Sequence, residues 1–199
     1  KARNWPRMKW VFLITLLPFV AEADSYSTQV LADKPVAYWR FEEAKGAPLN
    51  SAVGALKGML AGNHPLGPQP LFYPDFSKDN RSLRLAADDG FVRVADPGKK
   101  SALDFTKGDS ITLEAWVSPG ELSNGRMMYI IGKGRTGRTG FAANNQNYAL
   151  RLVGVKGGIG LSFLFRDANN SGETSWHRWT SAGVLGAGEW HHVAVTYTF

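Results

Sequence analysis

The sequence predicts an all-β protein, built as an antiparallel sandwich or barrel, and three observations lead to this prediction. From residue 82 onward, short runs of alternating apolar and polar residues follow one another, and this period of two is typical of half-buried strands. The 22 glycines and 10 prolines of the 199-residue chain supply frequent turn residues. No helical period extends over three turns after residue 23, and no internal repeat indicates a propeller or a solenoid.

The elements are predicted in chain order as follows. A short helical turn lies within residues 24–33 and ends before Pro35, because proline disfavours the helical conformation of the residue before it. Strands are predicted at residues 36–41, 82–85, 91–94, 111–117, 127–131, 148–153, 159–165, 176–180 and 190–199. Residues 44–82, rich in glycine, proline and asparagine, are predicted to be loop, and the turn at residues 88–90 predicts a hairpin.

Alternation within two of these strands predicts which side chains face a core. Successive strand residues point to opposite sides of a sheet, so every second residue shares a face. One predicted apolar stripe consists of Ile111, Leu113, Ala115 and Val117, and the other of Ile159, Leu161, Phe163 and Phe165.

Residues 1–23 have the pattern of a secretory leader. Basic residues come first, an apolar run follows at residues 10–20, and Ala21 and Ala23 form a small-x-small cleavage pattern. The apolar run is shorter than the roughly 20 residues that span a bilayer. We expect cleavage after Ala23, and the alternative is an uncleaved anchor. The chain then divides into the leader (1–23), a segment that belongs to the sandwich (24–81) and the main domain (82–199).

Composition and charge narrow the classes of function. The chain has no cysteine, which excludes disulfides, thiolate metal sites and cysteine nucleophiles. The formal charge is +6, but the leader holds four of the 23 basic residues and one of the 17 acidic residues, so +3 remains without it. A net charge of this size gives little reason to expect a nucleic acid partner. Aromatic residues make up 12%, and they are common in strands and at binding surfaces.

Two longer motifs resemble signature segments of laminin G-like domains, which have the concanavalin A-like jelly-roll fold. The first is SITLEAWVSP at residues 110–119, and the second is EWHHVAVTY at residues 189–197. Residues 130–134 and 148–152 are similar to the strands between them, and residues 83–94 to the opening hairpin.

The resemblance implies an antiparallel jelly-roll β-sandwich over residues 82–199. Residues 30–43 also look like the N-terminal strand of bacterial members, in which the module is commonly one part of a larger secreted or cell-surface polypeptide. In the family, further strands follow the second motif and close the sandwich. We therefore expect the sandwich to be incomplete at its C-terminal side.

Calcium is the candidate cofactor that the sequence suggests. Laminin G-like domains often carry a Ca²⁺ site at a sandwich edge, and Ca²⁺ takes six to eight oxygen ligands gathered mostly from loops. Asp88 and Asp89 in the predicted hairpin turn are the best carboxylate pair for such a site. The alternative is that this Asp-Asp-Gly sequence serves the turn alone.

Ligand-binding residues are predicted in the cluster at residues 176–179. Aromatic rings stack on sugars, and polar neighbours select hydroxyl positions, so we name Arg178 and Trp179 as candidates. Alternation puts Trp176 and Trp179 on opposite faces of the strand, so we expect at least one of them to belong to the core.

Other motifs predict no chemistry. His191 and His192 are adjacent on a strand and face apart, so we expect packing or hydrogen-bonding roles rather than a shared metal. The G-x-G-x-x-G letters at residues 132–137 precede a loop instead of the helix that a dinucleotide site requires. The paired carboxylates of a jelly-roll glycosidase are missing from the strands.

We therefore expect a non-catalytic recognition module that binds an extracellular glycan or protein. The leader predicts a location that is secreted, periplasmic or on the cell surface. Two alternatives stay open: an accessory domain of a secreted enzyme or redox protein whose chemistry lies downstream, and a structural component of the cell surface.

Overall fold

The computed structural model of the protein describes residues 25–61, 66–67, 76, 80–85, 90–98, 101–134, 146–167 and 175–199. Within these residues, one short helix accompanies antiparallel β-sheets. The elements are α1 (Ser25–Ala32), β1 (Leu49–Asn50), β2 (Lys57–Ala61), β3 (Leu66–Gly67), β4 (Ser82–Leu83), β5 (Phe91–Val94), β6 (Ser110–Val117), β7 (Met127–Lys133), β8 (Tyr148–Val155), β9 (Gly158–Arg166), β10 (Trp176–Leu185) and β11 (His191–Thr198). The segment predicted to be a leader, residues 1–23, lies outside the described residues.

The largest sheet contains four strands in the order β10-β9-β8-β7. Each strand pairs antiparallel with the next along the chain, so the sheet is a meander of local connections. The turn between β8 and β9 is tight, and Gly157 has a φ of 92° there, a conformation that glycine adopts without steric cost. All four strands were predicted, and the structure extends each of them by one or more residues.

Strands β6 and β11 form a second antiparallel pair that covers one face of the four-stranded sheet. Eight residue pairs join them, from Ser110 opposite Thr198 to Val117 opposite His191. Between the two layers lies a core cluster whose buried members are Ile111, Leu113, Tyr148, Leu150, Phe163 and Val193. We call the covered side of the four-stranded sheet its inner face. The predicted antiparallel β-sandwich is therefore confirmed, and both predicted apolar stripes contribute to its interior.

Helix α1 packs on the other side of the β6–β11 pair. The ring of Tyr26 lies 5.0 Å from that of Phe76 and 6.2 Å from that of Trp116, measured between centroids. Trp116 alternates with the inward-facing residues of β6, so these rings cover the outside of that strand. The helical turn predicted within residues 24–33 is confirmed.

The strand predicted at residues 36–41 is wrong. Lys34 and Phe41 have positive φ values of 53° and 60°, so the backbone turns at both ends of this segment. Its backbone bonds go to a neighbouring turn: the Tyr38 amide donates to Ser51 Oγ at 2.9 Å, and the Tyr38 carbonyl accepts from the Ala52 amide at 2.7 Å. These bonds satisfy Tyr38 without a strand ladder.

The predictions for residues 44–94 also need correction. The segment predicted to be loop contains β1, β2 and β3, and the strands predicted to form a hairpin pair elsewhere: β4 with β3, and β5 with β2. Close packing explains the glycine in β2, since a Cβ at Gly58 would lie 2.5 Å from Val92 Cγ1. Strands β1 and β3 have two residues each and β2 has five, and they show no alternating pattern that would identify them.

Candidate functional site

Strand β10 lies at the edge of the four-stranded sheet and separates the two residues that the sequence predicted as a ligand site. Its neighbour is β9, with Trp176 opposite Arg166, Arg178 opposite Leu164 and Trp179 opposite Phe163. Since Phe163 belongs to the core, Trp179 faces inward, whereas Arg178 faces the opposite side. We call that opposite side the outer face. Arg178 and Trp179 therefore cannot contact one ligand from the same surface.

Trp179 belongs to an aromatic group at the margin of the core. Its ring centroid lies 5.1 Å from that of Tyr197, 5.9 Å from that of Phe165 and 6.2 Å from that of Phe163. The His177 ring stacks in the same group, 4.6 Å from Phe165. Trp179 is nevertheless 47% exposed, because it stands at the open edge of the sheet.

On the outer face, the structure brings Arg178 together with two residues that sequence analysis did not assign to a site. The guanidinium carbon of Arg178 lies 5.2 Å from the ring centroid of Trp176, and that of Arg166 lies 5.9 Å from it. We call Arg166, Trp176 and Arg178 the arginine–tryptophan cluster. Both guanidinium groups are within the range of a cation–π interaction with the same indole.

Strand geometry explains why the cluster forms. Trp176 and Arg178 are two positions apart on β10, so they share a face about 6–7 Å apart, and Trp176 lies directly opposite Arg166 on β9. Arg166 is anchored further because its Nε donates a hydrogen bond to Ser175 Oγ at 3.0 Å, and Ser175 is fully buried. Arg178 is exposed.

The charged side chains on the strands of the four-stranded sheet are all basic. Strands β7 to β10 contain Lys133, Arg151, Arg166 and Arg178 but no aspartate or glutamate. Three of these cations alternate onto the outer face, one on each of β8, β9 and β10. Arg151 is buried there, with its Nε 3.4 Å from Ser162 Oγ. Of these four cations only Arg178 is exposed, so the positive charge that a ligand can reach lies at β10.

The comparison with protein families agrees with this architecture. Residues 87–198 match the model of a laminin G-like family that is described as the concanavalin A-like lectin/glucanases superfamily. The chain belongs to this family. A search of curated proteins and a search of solved structures gave no match. The matched residues of the laminin G-like domain contain β5 to β11, and they confirm the family that the two sequence motifs predicted.

The calcium prediction for the laminin G-like domain stays a prediction. Asp88 and Asp89 lie outside the described residues. Within the part of the chain that the structure describes, no group of three or more histidine, aspartate or glutamate side chains is placed to hold a metal ion. In the same part, no helix has both the length and the hydropathy of a membrane span.

The adjacent histidines have the separate roles that alternation predicted. His191 Nε2 lies 3.0 Å from the Gly186 carbonyl oxygen. His192 packs against Trp116, with 5.3 Å between ring centroids, and its Nε2 lies 3.7 Å from Glu114 Oε2. The prediction that they pack and form hydrogen bonds is confirmed.

A charged cluster at one end of the sandwich fastens the segment before β6 to the four-stranded sheet. Lys133 Nζ contacts Asp104 Oδ1 and lies 3.6 Å from Asp96 Oδ1. Burial raises the pKa of the neighbouring Tyr148 hydroxyl to about 12, and the carboxylates of Asp104 and Asp96 add to this increase by opposing a second negative charge. The lysine pairs with the carboxylates, so this cluster contributes to the stability of the fold.

Proposed function

We propose that the protein is an exported, non-catalytic recognition module that binds a glycan at strand β10, on the outer side of its four-stranded sheet. Laminin G-like domains are commonly binding modules, and this class supports a binding role. The observation that carries the proposal is the exposed guanidinium of Arg178, which lies 5.2 Å from the Trp176 ring centroid. Guanidinium groups donate up to five hydrogen bonds, and such donors recognise hydroxyl and acid groups of sugars.

The residue types on this face favour binding over catalysis. A glycosidase needs two carboxyl groups that flank the scissile bond, about 5 Å apart in retaining enzymes. The outer-face positions of β8, β9 and β10 carry arginine, serine, threonine, tryptophan and small apolar residues instead. The proposed role therefore requires recognition alone.

The proposed setting is a larger exported protein. The leader pattern at residues 1–23 supports a location that is secreted, periplasmic or on the cell surface. The domain would then deliver a secreted enzyme or redox protein to a surface, or serve as a structural part of the cell surface.

Binding of the full chain to an array of bacterial, plant, algal and animal polysaccharides tests the proposal. We expect binding that falls when Arg178→Ala or Trp176→Ala is introduced. Arg93→Ala is the matched control, because Arg93 is an exposed arginine on β5 in another sheet. Binding to no polysaccharide by the folded protein would contradict the proposal. Repeating the array with EDTA tests the calcium prediction at Asp88 and Asp89.

A protein ligand is the second candidate, and the inner side of β10 favours it. Trp179 is 47% exposed on an edge strand, where an extended peptide can pair with the backbone. The Trp179→Ala variant separates the two candidates. We expect this variant to weaken the binding of a protein ligand at this edge and to leave polysaccharide binding at Arg178 unchanged.

A further inference from the structure

The open edge of strand β10, from Trp176 to Thr180, offers backbone hydrogen-bonding groups to a further strand. We infer that an extended peptide binds there as an added antiparallel strand, and that an apolar residue followed directly by an acidic residue lies at its centre. The inference rests on the second candidate of the proposed function, a protein ligand, and it names the peptide chemistry that this edge recognises.

The hydrogen bonds of β9 show which residues of β10 already have a partner strand. The Asp167 amide donates to the Ser175 carbonyl oxygen at 2.8 Å, whereas the Arg166 amide points to the other side and donates to the Asn147 carbonyl oxygen at 3.0 Å. An antiparallel strand directs the backbone groups of successive residues to alternate sides. The ladder between β9 and β10 therefore uses Ser175 and every second residue after it.

The residues between them turn their amide and carbonyl groups to the open edge. They are Trp176, Arg178 and Thr180. The Leu161 amide donates to Ser181 Oγ at 3.0 Å, in agreement with this alternation. No strand lies beyond β10 in the part of the chain that the structure describes. The spacing of about 6–7 Å between alternate residues is that of the hydrogen-bonded pairs in an antiparallel ladder, so an added strand can bond to each of them.

On the inner side, Trp179 offers an apolar contact to an added strand. Its ring centroid lies 5.1 Å from that of Tyr197 at the margin of the core, and the residue is 47% exposed. Because the Trp179 backbone bonds to β9, the peptide residue opposite it belongs to a non-hydrogen-bonded pair, in which the two side chains lie closest. An apolar side chain at this peptide position covers the indole and extends the aromatic group.

On the outer side, Arg178 selects the charge of the neighbouring peptide residue. Its guanidinium is exposed, and the guanidinium carbon lies 5.2 Å from the ring centroid of Trp176. The peptide residue opposite Arg178 shares its face, so a carboxylate at that position pairs with the guanidinium across the two strands. In the antiparallel direction, this acidic residue directly follows the apolar residue opposite Trp179.

A second copy of the chain fits this edge less well than an acidic peptide does. Strand β10 contains no aspartate or glutamate, so the β10 edge of a second copy brings another Arg178 and no carboxylate. Like charges on paired strands destabilise the pair. The charge of the edge therefore favours a partner strand of different sequence that carries an acidic residue.

Three labelled peptides test the recognition of side chains, with their binding to the full chain measured by fluorescence anisotropy. The peptide TFEVT puts its phenylalanine opposite Trp179 and its glutamate opposite Arg178. TEFVT exchanges these two peptide residues, and TFKVT reverses the charge. We expect TFEVT to bind about fivefold more tightly than TFKVT, as for a cross-strand ion pair, and also more tightly than TEFVT. Equal binding of the three peptides would overturn the inference.

N-methylated peptides test the backbone pairing. The amide of the glutamate in TFEVT bonds to the Arg178 carbonyl oxygen in the inferred register, whereas the amide of the phenylalanine points away from β10. We expect N-methylation of the glutamate to weaken binding at least tenfold, and N-methylation of the phenylalanine to leave it nearly unchanged. Equal effects at the two positions would contradict an added strand.

Variants of the protein assign the two side-chain contacts. We expect Trp179→Ala to weaken the binding of TFEVT about five- to tenfold. Arg178→Ala removes the preference for TFEVT over TFKVT, and this ratio between two peptides does not depend on the fraction of folded protein. Arg93→Ala keeps the preference, because Arg93 lies on β5 in another sheet. An equal loss of preference in Arg93→Ala would overturn the inference, since it indicates general charge attraction.

Amide hydrogen exchange of the full chain, resolved by NMR, tests whether the edge is open. Without peptide, we expect the amides of Arg178 and Thr180 to exchange at least tenfold faster than those of His177 and Trp179, which bond to β9. TFEVT slows the exchange of Arg178 and Thr180. Slow exchange at Arg178 in the free protein would overturn the inference, because it shows that a second copy or another segment already occupies the edge.

The failure of the inference is distinguishable from the failure of the glycan proposal. Binding of TFEVT without binding to any polysaccharide supports the inference and contradicts the glycan proposal. Polysaccharide binding that Trp179→Ala leaves intact, together with no binding of TFEVT, overturns the inference and leaves the glycan proposal standing. No binding of either ligand contradicts both.

Discussion

The Tyr148 hydroxyl donates a hydrogen bond to the Leu103 carbonyl oxygen across 3.2 Å. Tyr148 begins β8 and is only 7% exposed, while Leu103 belongs to the segment that leads into β6. Phe105 packs against the same phenol ring edge to face, with 5.4 Å between centroids. One buried side chain thus joins the two layers of the sandwich at this end.

The free energy of unfolding is expected to fall as the pH rises above 10. The pKa of Tyr148 is raised from 10.0 to about 12 in the folded protein, so folding favours the neutral phenol. The stabilisation is complete below pH 10 and is lost as the pH rises through 12. Urea unfolding between pH 9 and 12 measures this loss. Tyr148→Phe, which has no hydroxyl to ionise, should show a smaller decrease, and an equal decrease would contradict the assignment.

Asp104→Asn is expected to lower the pKa of Tyr148 toward its ordinary value. The substitution removes a carboxylate that opposes the phenolate and leaves the cation of Lys133 nearby. Ultraviolet titration of tyrosinate, compared with Tyr148→Phe to identify the signal, measures the change. A pKa that stays at about 12 would show that Asp104 does not contribute to it and that burial and Asp96 are sufficient.

Gly154→Ala is expected to destabilise the domain because the 122–125 loop lies directly on Gly154. A Cβ at this position would be 2.0 Å from the Ser123 carbonyl oxygen, so the backbone must move, at a cost of about 1–3 kcal/mol. Gly183→Ala in β10 is the matched control, since a Cβ there meets nothing within 4 Å. Thermal unfolding of both variants provides the comparison, and equal stability would contradict the close packing.

Leu150→Ala is expected to lower the free energy of unfolding by about 2–5 kcal/mol, the range for truncation of a fully buried leucine. Leu150 is 0% exposed at the centre of the core cluster. Val184→Ala removes apolar volume from a residue that is 50% exposed, and we expect a change within about 0.5 kcal/mol. Urea unfolding should therefore show a much larger loss of stability for Leu150→Ala than for Val184→Ala. Similar losses in the two variants would contradict the position of Leu150 at the centre of the core.

Much of the main sandwich could be predicted because its strands are long and half-buried. In β6, the alternation of Ile111 and Leu113 with polar residues identifies both the strand and its buried face. The short strands β1 to β3 give no such pattern, and the pairing of β2 with β5 joins segments that are distant in sequence. The error at residues 36–41 has another cause, because side chains such as Ser51 replaced the strand ladder there.

The candidate site was predictable only in part. Arg178 was identified from its neighbours along the chain, and its two-residue spacing from Trp176 already placed both on one face. Arg166 could not be found in this way, since its position opposite Trp176 follows from the register between β9 and β10. Trp179 is adjacent to Arg178 in sequence, so alternation along the strand places these two candidates on opposite faces.

The pairing of β6 with β11 has a consequence for the order of folding. Ser110 and Thr198, whose hydroxyl oxygens lie 2.8 Å apart, are separated by 88 positions in the chain. We expect the hairpins of β7 to β10 to form first, because their contacts are local, and this long loop to close later. During synthesis, Phe163 and Phe165 stay uncovered until β11 has emerged. A nascent chain of this design is therefore expected to be slow to become compact.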